Sequence, residues 1–251
     1  KVQIRGGDLK VHEGGITTST STVGGRTYGS WVEYGAVSSS INSTLASGAG
    51  LVTGHTSGPT TPAPWSRITF SNTNTAALGN YSSGVQSGNM RNFFATLPGT
   101  SLDDSTYTLT PLAAGQVRVL DFGDEDITLN GAAGIRGSYV IRTGGTVTIA
   151  SNIGLNTSAG ISSIRNIPGV AIVANQINIP NSVTNIDAWL LANDIIDTCI
   201  DQPSDGLLTM NTCQNALVVN GPVQATTIYL RRTAGSDATS LTQAAETFNT
   251  P

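Results

Sequence analysis

From about Val117 onward the chain breaks into short β-rich runs: "VRVLDF", "DITLNG", "SYVIRTGG", "TVTIASNIG", "VAIVANQINIP", "VTNIDAWLLAND", "ALVVNGPV" and "TTIYLRR". Apolar positions inside them often fall two apart, as in Val147 with Ile149 and Ile177 with Ile179. Side chains two apart share one face of a strand, so the spacing predicts strands. Several breaks are very small, such as Ala174-Asn175 between "AIV" and "INI", or Asn220-Gly221 between "LVV" and "VQA". A break of that size turns a corner without reversing the chain. Repeated corners predict an all-β protein with a parallel β-helix-like solenoid over residues 117–251, each pass laying its strands on the one before. Asn and Gly suit the corners, where positive φ costs them least. No single period fits the repeat, and a Greek-key β-sandwich stands as the alternative.

Residues 1–116 have a different texture. "ITTSTSTVGG", "SSSINSTLASGAG" and "GPTTPAPW" are rich in Ser, Thr and Gly, with "VQIRGGDLKV" and "GSWVEYGAV" as strand candidates among them. This predicts an irregular β-rich region that caps the solenoid or takes part in assembly. Phe93, Phe94, Leu97, Tyr107 and Leu109 are candidate core anchors, and Pro98-Gly99 marks a turn. Helix is nearly absent. Only "TSLTQAAETFNTP" offers a turn or two, with Ser240 as the N-cap.

Composition sharpens this picture. Only 11% of the 251 residues are charged, less than half the usual quarter, while Gly alone numbers 29. Thr and Val suit pleated strands, and Asn and Gly suit tight turns. A net charge of -4 with scattered Lys and Arg offers no basic face for nucleic acid. No apolar run reaches the roughly 18 residues of a transmembrane helix.

Candidate chemistry is sparse. Cys199 and Cys213 lie 14 positions apart across "CIDQPSDGLLTMNTC". A disulfide closing this polar loop is the plain reading, against a metal or redox pair, and it places the protein outside the cytosol. The densest acidic stretch, "DFGDEDITLNG", suggests Asp121, Asp124 and Asp126 as oxygen ligands for Ca²⁺, with a solvated turn as the competing reading. No other cofactor is implied. His12 and His55 stand in Gly-rich segments among many hydroxyls, so a Ser–His pairing carries no signal for a hydrolase. Asp187, Asp194 and Asp197 could line one face for work on polysaccharide, although corner roles explain them more simply. Trp31 and Trp65 are candidate platforms for a glycan, whereas Trp189 in "IDAWLLAND" reads as a core or face-packing residue. "TYTLT" and "TVTIAS" contain the Thr-x-Thr element of an ice-binding face without repeating it pass after pass. Asn42, Asn80 and Asn156 match the glycosylation acceptor pattern.

Several of these segments together resemble secreted or cell-surface proteins of ultra-small bacteria of the candidate phyla radiation, including Saccharibacteria. The resemblance rests on Arg5 to Asp8, Gly29 to Gly35, Ser47 to Gly50, Ile186 to Leu190, Cys199, Cys213, and Leu217 to Gly235. It implies an extracellular address and no reaction.

These readings converge on a structural extracellular protein, not an enzyme: a surface-layer or filament subunit whose partner is another copy of itself. Low charge is the physical motive, because natural proteins protect open strand edges with Lys, Pro and bulges. An adhesin recognising a host-cell glycan is the alternative, and a polysaccharide-acting enzyme comes third.

Overall fold

The computed structural model describes short strands between residues 2 and 53, and then residues 93–94, 96–158, 163–202, 211–233 and 244–249. The first seven strands are β1 (Val2–Arg5), β2 (Leu9–Val11), β3 (Ser21–Val23), β4 (Arg26–Tyr28), β5 (Ser30–Val32), β6 (Ala36–Ser38) and β7 (Leu51–Thr53). The main body follows with β8 (Thr100–Ser101), β9 (Thr106–Thr108), β10 (Val117–Asp121), β11 (Ile127–Asn130), β12 (Ser138–Arg142), β13 (Thr146–Ile149) and β14 (Gly169–Asn178). It is completed by β15 (Asn185–Ile186), β16 (Trp189–Asp197), β17 (Leu217–Asn220), β18 (Val223–Gln224), β19 (Thr227–Tyr229) and β20 (Glu246–Asn249). Among the described residues helix is confined to short turns such as Ile164–Asn166.

These strands form parallel ladders, and the body is a curled parallel sheet. In the first ladder β8, β10, β12, the first half of β14, the first half of β16 and β18 follow one another. In the second ladder β9, β11, β13, the second half of β14, the second half of β16 and β19 do the same. A third ladder runs β15-β17-β20-β1-β5-β7. Parallel bridges Ile135↔Leu155 and Ile153↔Ile186 extend it on the β15 side. Among the described strands only β3 and β4 pair antiparallel. A Greek-key sandwich needs antiparallel hairpins, so that alternative is set aside.

The corners lie where the small residues predicted them. β14 and β16 each pass from the first ladder to the second where their register shifts, across Asn175 in β14 and across Asn193-Asp194 in β16. Gly221 approaches its neighbour closely: a Cβ there would sit 2.3 Å from the Ala188 carbonyl oxygen, so no other residue fits. Asn side chains stack from strand to strand at the outer bends, Asn249 donating to Asn220 (2.6 Å) and Asn193 to Asn175 (3.3 Å).

Pairing registers also explain why no single period fits. Along one row of the second ladder, Thr128 to Thr148 is 20 positions and Thr148 to Asn178 is 30. The next step, Asn178 to Asp197, is 19, and Asp197 to Tyr229 is 32. Long steps carry extra chain, including residues 156–168 and the disulfide loop, so strand spacing is kept while sequence spacing is not.

Apolar side chains stack inside the curl in columns. One column is Ile127, Val147, Ile177, Ile196 and Ile228; another is Leu120, Ile141, Ile172, Leu190 and Val223. All but the last member of each is buried. Full burial of one such side chain contributes about 1.5–3 kcal/mol, so the columns dominate the stability of the body.

Two expectations need correction. Phe93 is 61% exposed and only Leu109, Tyr107, Phe94 and Leu97 are drawn inward among the proposed anchors. The segment around Glu246–Asn249 is a strand, not a helix, because β17 and β1 flank it; Ser240 lies outside the described residues. Asp187 lies just before β16, Asp194 in its middle and Asp197 at its end.

Candidate assembly interface

The two ends of the stack are finished differently. On the β9 side, the column starts at Ile127, which is only 2% exposed, in the same apolar cluster as Leu109 and Leu112. Tyr107 of β9 pairs with Leu129 beside it, and the neighbouring positions Thr106 and Thr108 are polar. On the β19 side the same column ends at Ile228, which is 36% exposed. Tyr229 (42%) and Leu230 (40%) follow it, giving three consecutive large apolar residues at an edge. Among the described residues β19 pairs with β16 on one side and with no strand on the other. The Arg231 guanidinium lies over the Tyr229 ring at 4.9 Å and reaches Asp197 at 3.5 Å. It is a charged group on this edge of the kind that discourages pairing.

A buried polar corner holds this last pass in shape. Arg232 donates through Nε to the Thr198 carbonyl (2.6 Å), through Nη1 to Asn181 (2.9 Å) and Asn215 (3.2 Å), and through Nη2 to Pro180 (2.8 Å) and Val183 (2.9 Å). One guanidinium thereby ties five backbone carbonyls from three stretches of chain. Burial lowers its pKa to about 10, while Glu246, Asp201 and Asp197 act in the opposite direction. Glu246 Oε1 accepts from the Thr198 hydroxyl and from the Arg232 backbone N–H. Burial pushes the Glu246 carboxyl up to about 7 despite those hydrogen bonds and the charge of Arg232. The Asp197 carboxyl is also raised, chiefly by burial, against the pull of the Cys199 N–H and of Arg231.

The Cys199–Cys213 disulfide is formed and buried beside this corner, with Cα atoms 6.3 Å apart. Cys199 N donates to Asp197 Oδ1 (3.0 Å), and Thr233 N donates to the Cys213 carbonyl (2.8 Å). The bridge thus joins two points of chain that flank the loop, next to Thr198 and near Asn215, whose carbonyls accept from Arg232.

The other carboxylates named from sequence also serve backbone and corners. Asp187 accepts from Leu155 N (2.9 Å), Asn185 (3.0 Å) and Asn220 (2.6 Å). Asp194 is exposed at the bend of β16. Asp121 accepts from Arg142 Nε (2.8 Å) and Nη2 (2.6 Å) and from Gly123 N (3.1 Å). Burial alone would raise its pKa, but Arg142 and the Gly123 N–H together bring it below the ordinary value. Asp126 accepts from Thr146 N (2.6 Å), and Asp124 lies against Gly144. Among the described residues no three His, Cys, Asp or Glu side chains gather as a metal site.

Trp189 is half-buried on the outer side of the first ladder, where Phe94 meets it edge-to-face at 5.7 Å. Arg142 ties that strap down by donating to the Phe94 (3.3 Å) and Leu97 (2.6 Å) carbonyls. Thr106, Thr128 and Thr148 stack over three passes before Asn178 and Asp197 interrupt the row. Asn156 is half-buried and accepts from Ser158 (2.9 Å). Trp31 belongs to β5, while His12, His55, Trp65, Asn42 and Asn80 lie outside the described residues.

Sequence reading missed the Arg232–Glu246 corner. The available signal was alternation: in "ETFN", Glu246 and Phe248 share a face, and a strand that buries Phe248 must bury Glu246 too.

No family model, no curated protein and no solved structure matches the chain. Among the described residues no helix is long and apolar enough to cross a membrane.

Proposed function

We propose that this protein is a structural, extracellular subunit that assembles with copies of itself, and that its ladders are the faces of a parallel β-helix. The observation that carries the reading is the unequal finish of the second ladder: an apolar column closed at Ile127 and open at Ile228. An edge strand bearing three exposed apolar residues is a template for another chain. Because the two ends differ, contact between copies is heterologous and builds an open filament or lattice instead of a closed pair. Covering the remaining surface of Ile228, Tyr229 and Leu230 contributes about 1 kcal/mol each, in addition to the backbone hydrogen bonds of the edge. The buried disulfide supports an oxidising compartment and hence a position outside the cytosol.

The test is size as a function of concentration, by sedimentation and electron microscopy. Wild-type protein is expected to grow into filaments or sheets, and Ile228→Lys to raise the concentration needed by tenfold or more. A protein that stays strictly monomeric at high concentration, with no fibres under the microscope, refutes the reading.

A further inference from the structure

Thr198 follows directly on β16, and its backbone and side chain together hold the chain that leaves β19. Thr198 N donates to the Tyr229 carbonyl (3.0 Å). Its Oγ1 lies 2.9 Å from the same carbonyl oxygen and accepts from Arg231 N (2.8 Å). One residue thereby takes the C=O before Leu230 and the N–H after it, at the edge where Tyr229 and Leu230 are exposed. The same Oγ1 also meets Glu246 Oε1, which accepts from Arg232 N as well (3.2 Å). Thr198 and Glu246 are both buried, so the hydrogen count has to be settled within this cluster.

That count forces a choice. A hydroxyl has one hydrogen and two lone pairs. Arg231 N–H occupies one lone pair of Oγ1, and Tyr229 O and Glu246 Oε1 compete for the single hydrogen. While Glu246 is ionised the carboxylate takes it, because a charged acceptor makes the stronger bond. Oγ1 then faces the Tyr229 carbonyl oxygen at 2.9 Å with no hydrogen between them, and the two partial negative charges repel. When Glu246 carries a proton, it donates to the free lone pair of Oγ1, and the Thr198 hydroxyl turns to Tyr229. Every group is then paired, with Glu246 Oε1 still accepting from Arg232 N. The added proton comes from solvent; Thr198 keeps its own hydrogen, and only the direction of donation reverses.

We infer that a proton on Glu246 sets the grip of Thr198 on the β19 edge, closing it on the Tyr229 carbonyl when the carboxyl is protonated and opening it when the carboxyl ionises. Glu246 changes state within the ordinary pH range, since burial raises its carboxyl to about 7 against its hydrogen bonds and nearby positive charge. The charged groups around this corner come from several elements. Arg231 and Arg232 lie after β19, Asp197 and Asp201 lie at and after the end of β16, and the α-amino group of Lys1 acts from beside β1. β17, on the other flank of β20, brings no charge. Asp197 is raised too, so a test has to separate the two carboxyls. The latch goes beyond the assembly reading: it acts on the edge proposed there as a contact but needs no second copy to operate.

The test is an NMR titration of dilute protein from about pH 5 to about pH 9, following Glu246 Cδ, the Tyr229 carbonyl carbon and the Thr198 amide. The Tyr229 and Thr198 signals are expected to shift with the same midpoint as Glu246 Cδ, near 7. Glu246→Gln should leave both signals flat, and Asp197→Asn should leave the response in place. Thr198→Val keeps a titrating carboxyl near Tyr229 but removes the hydroxyl, so the Tyr229 shift should vanish while Glu246 still titrates. Thr198→Ser, which retains the hydroxyl, should restore it, and it carries the test should the valine variant fail to fold. A Tyr229 signal that stays flat while Glu246 titrates overturns the latch. So does a Tyr229 shift that survives Thr198→Val, which would be the bare field of the carboxylate, or one that vanishes in Asp197→Asn. These readings are made on single molecules, so they decide the latch whether or not copies assemble.

Discussion

Between β11 and β16 the inside of the sheet is a column of aliphatic side chains, Ile127, Val147, Ile177 and Ile196, buried by one another and by their neighbours. Around the last pass the inside is built from Thr198, Arg232 and Glu246, with a disulfide beside them. The first region gains free energy from each layer added, and it is indifferent to pH and to redox state. The second gains nothing from burying charge as such, because removing a guanidinium and a carboxyl from water is costly. What it obtains is shape: five carbonyls from three separate stretches of chain converge on one guanidinium. The aliphatic columns make strands stack, and the polar corner decides how the chain around β17 to β20 is folded.

Removing the guanidinium should break this comparison most sharply. Arg232→Met leaves five buried carbonyls without their donor and Glu246 without its nearby positive charge, so a loss of about 4 kcal/mol is expected in urea unfolding. A loss below 1 kcal/mol would mean that the corner tolerates an apolar filling as readily as the columns do. In the aliphatic region, Ile177→Ala creates a cavity in a fully buried column and should cost about 3 kcal/mol, with no change in how stability varies with pH. A pH-dependent penalty there would erase the distinction between the two regions.

The smallest effect concerns pH. Glu246 is held at about 7 in the folded protein and returns towards the ordinary carboxyl value near 4.5 on unfolding. The folded state therefore binds more protons between those values, and stability falls as pH rises from about 4.5 to about 7. Asp197, also raised, acts in the same direction, whereas Asp121, lowered by Arg142 and Gly123, loses its contribution on acidification below the ordinary aspartate range. Glu246→Gln keeps an oxygen for Thr198 and for the Arg232 N–H but cannot ionise. Its urea midpoint should change less between pH 4.5 and 7.5 than that of the wild type, with Asp197 supplying the remainder. An unchanged pH slope would show that Glu246 does not titrate in this range.

Much of the body could be read from the pattern of side chains. Each run named between Val117 and Tyr229 is a strand, and the breaks at Asn175 and at Asn220-Gly221 are corners. Strand formation is legible because it depends on alternation over a few residues, and corners because few residues turn so tightly. The period was not legible, since the chain between paired positions varies in length, by 20, 30, 19 and 32 along one row. Phe93 misled because one large aromatic says nothing of what will cover it. The stretch before Asn249 misled for a different reason: "QAAETF" suits a helix locally, and pairing with β17 and β1 overrides that preference.

Of the interface, the exposed trio Ile228 to Leu230 looked like any other strand in sequence. Its significance comes from lying at the end of a column, which only the pairing order reveals. Arg231 and Arg232 are neighbours in sequence, yet one stacks on Tyr229 and the other is buried.

By itself the sequence determined the local objects: strands with one apolar face, corners of Asn and Gly, and little charge to keep edges apart. Tertiary structure alone decided which strand lies beside which, above all that β20 meets β1. A period-two pattern says which face of a strand is buried, but backbone hydrogen bonds of parallel ladders are alike for every strand. Neighbours are chosen by the stacking of whole columns and by the geometry of buried corners such as Arg232, neither of which any short stretch of chain contains.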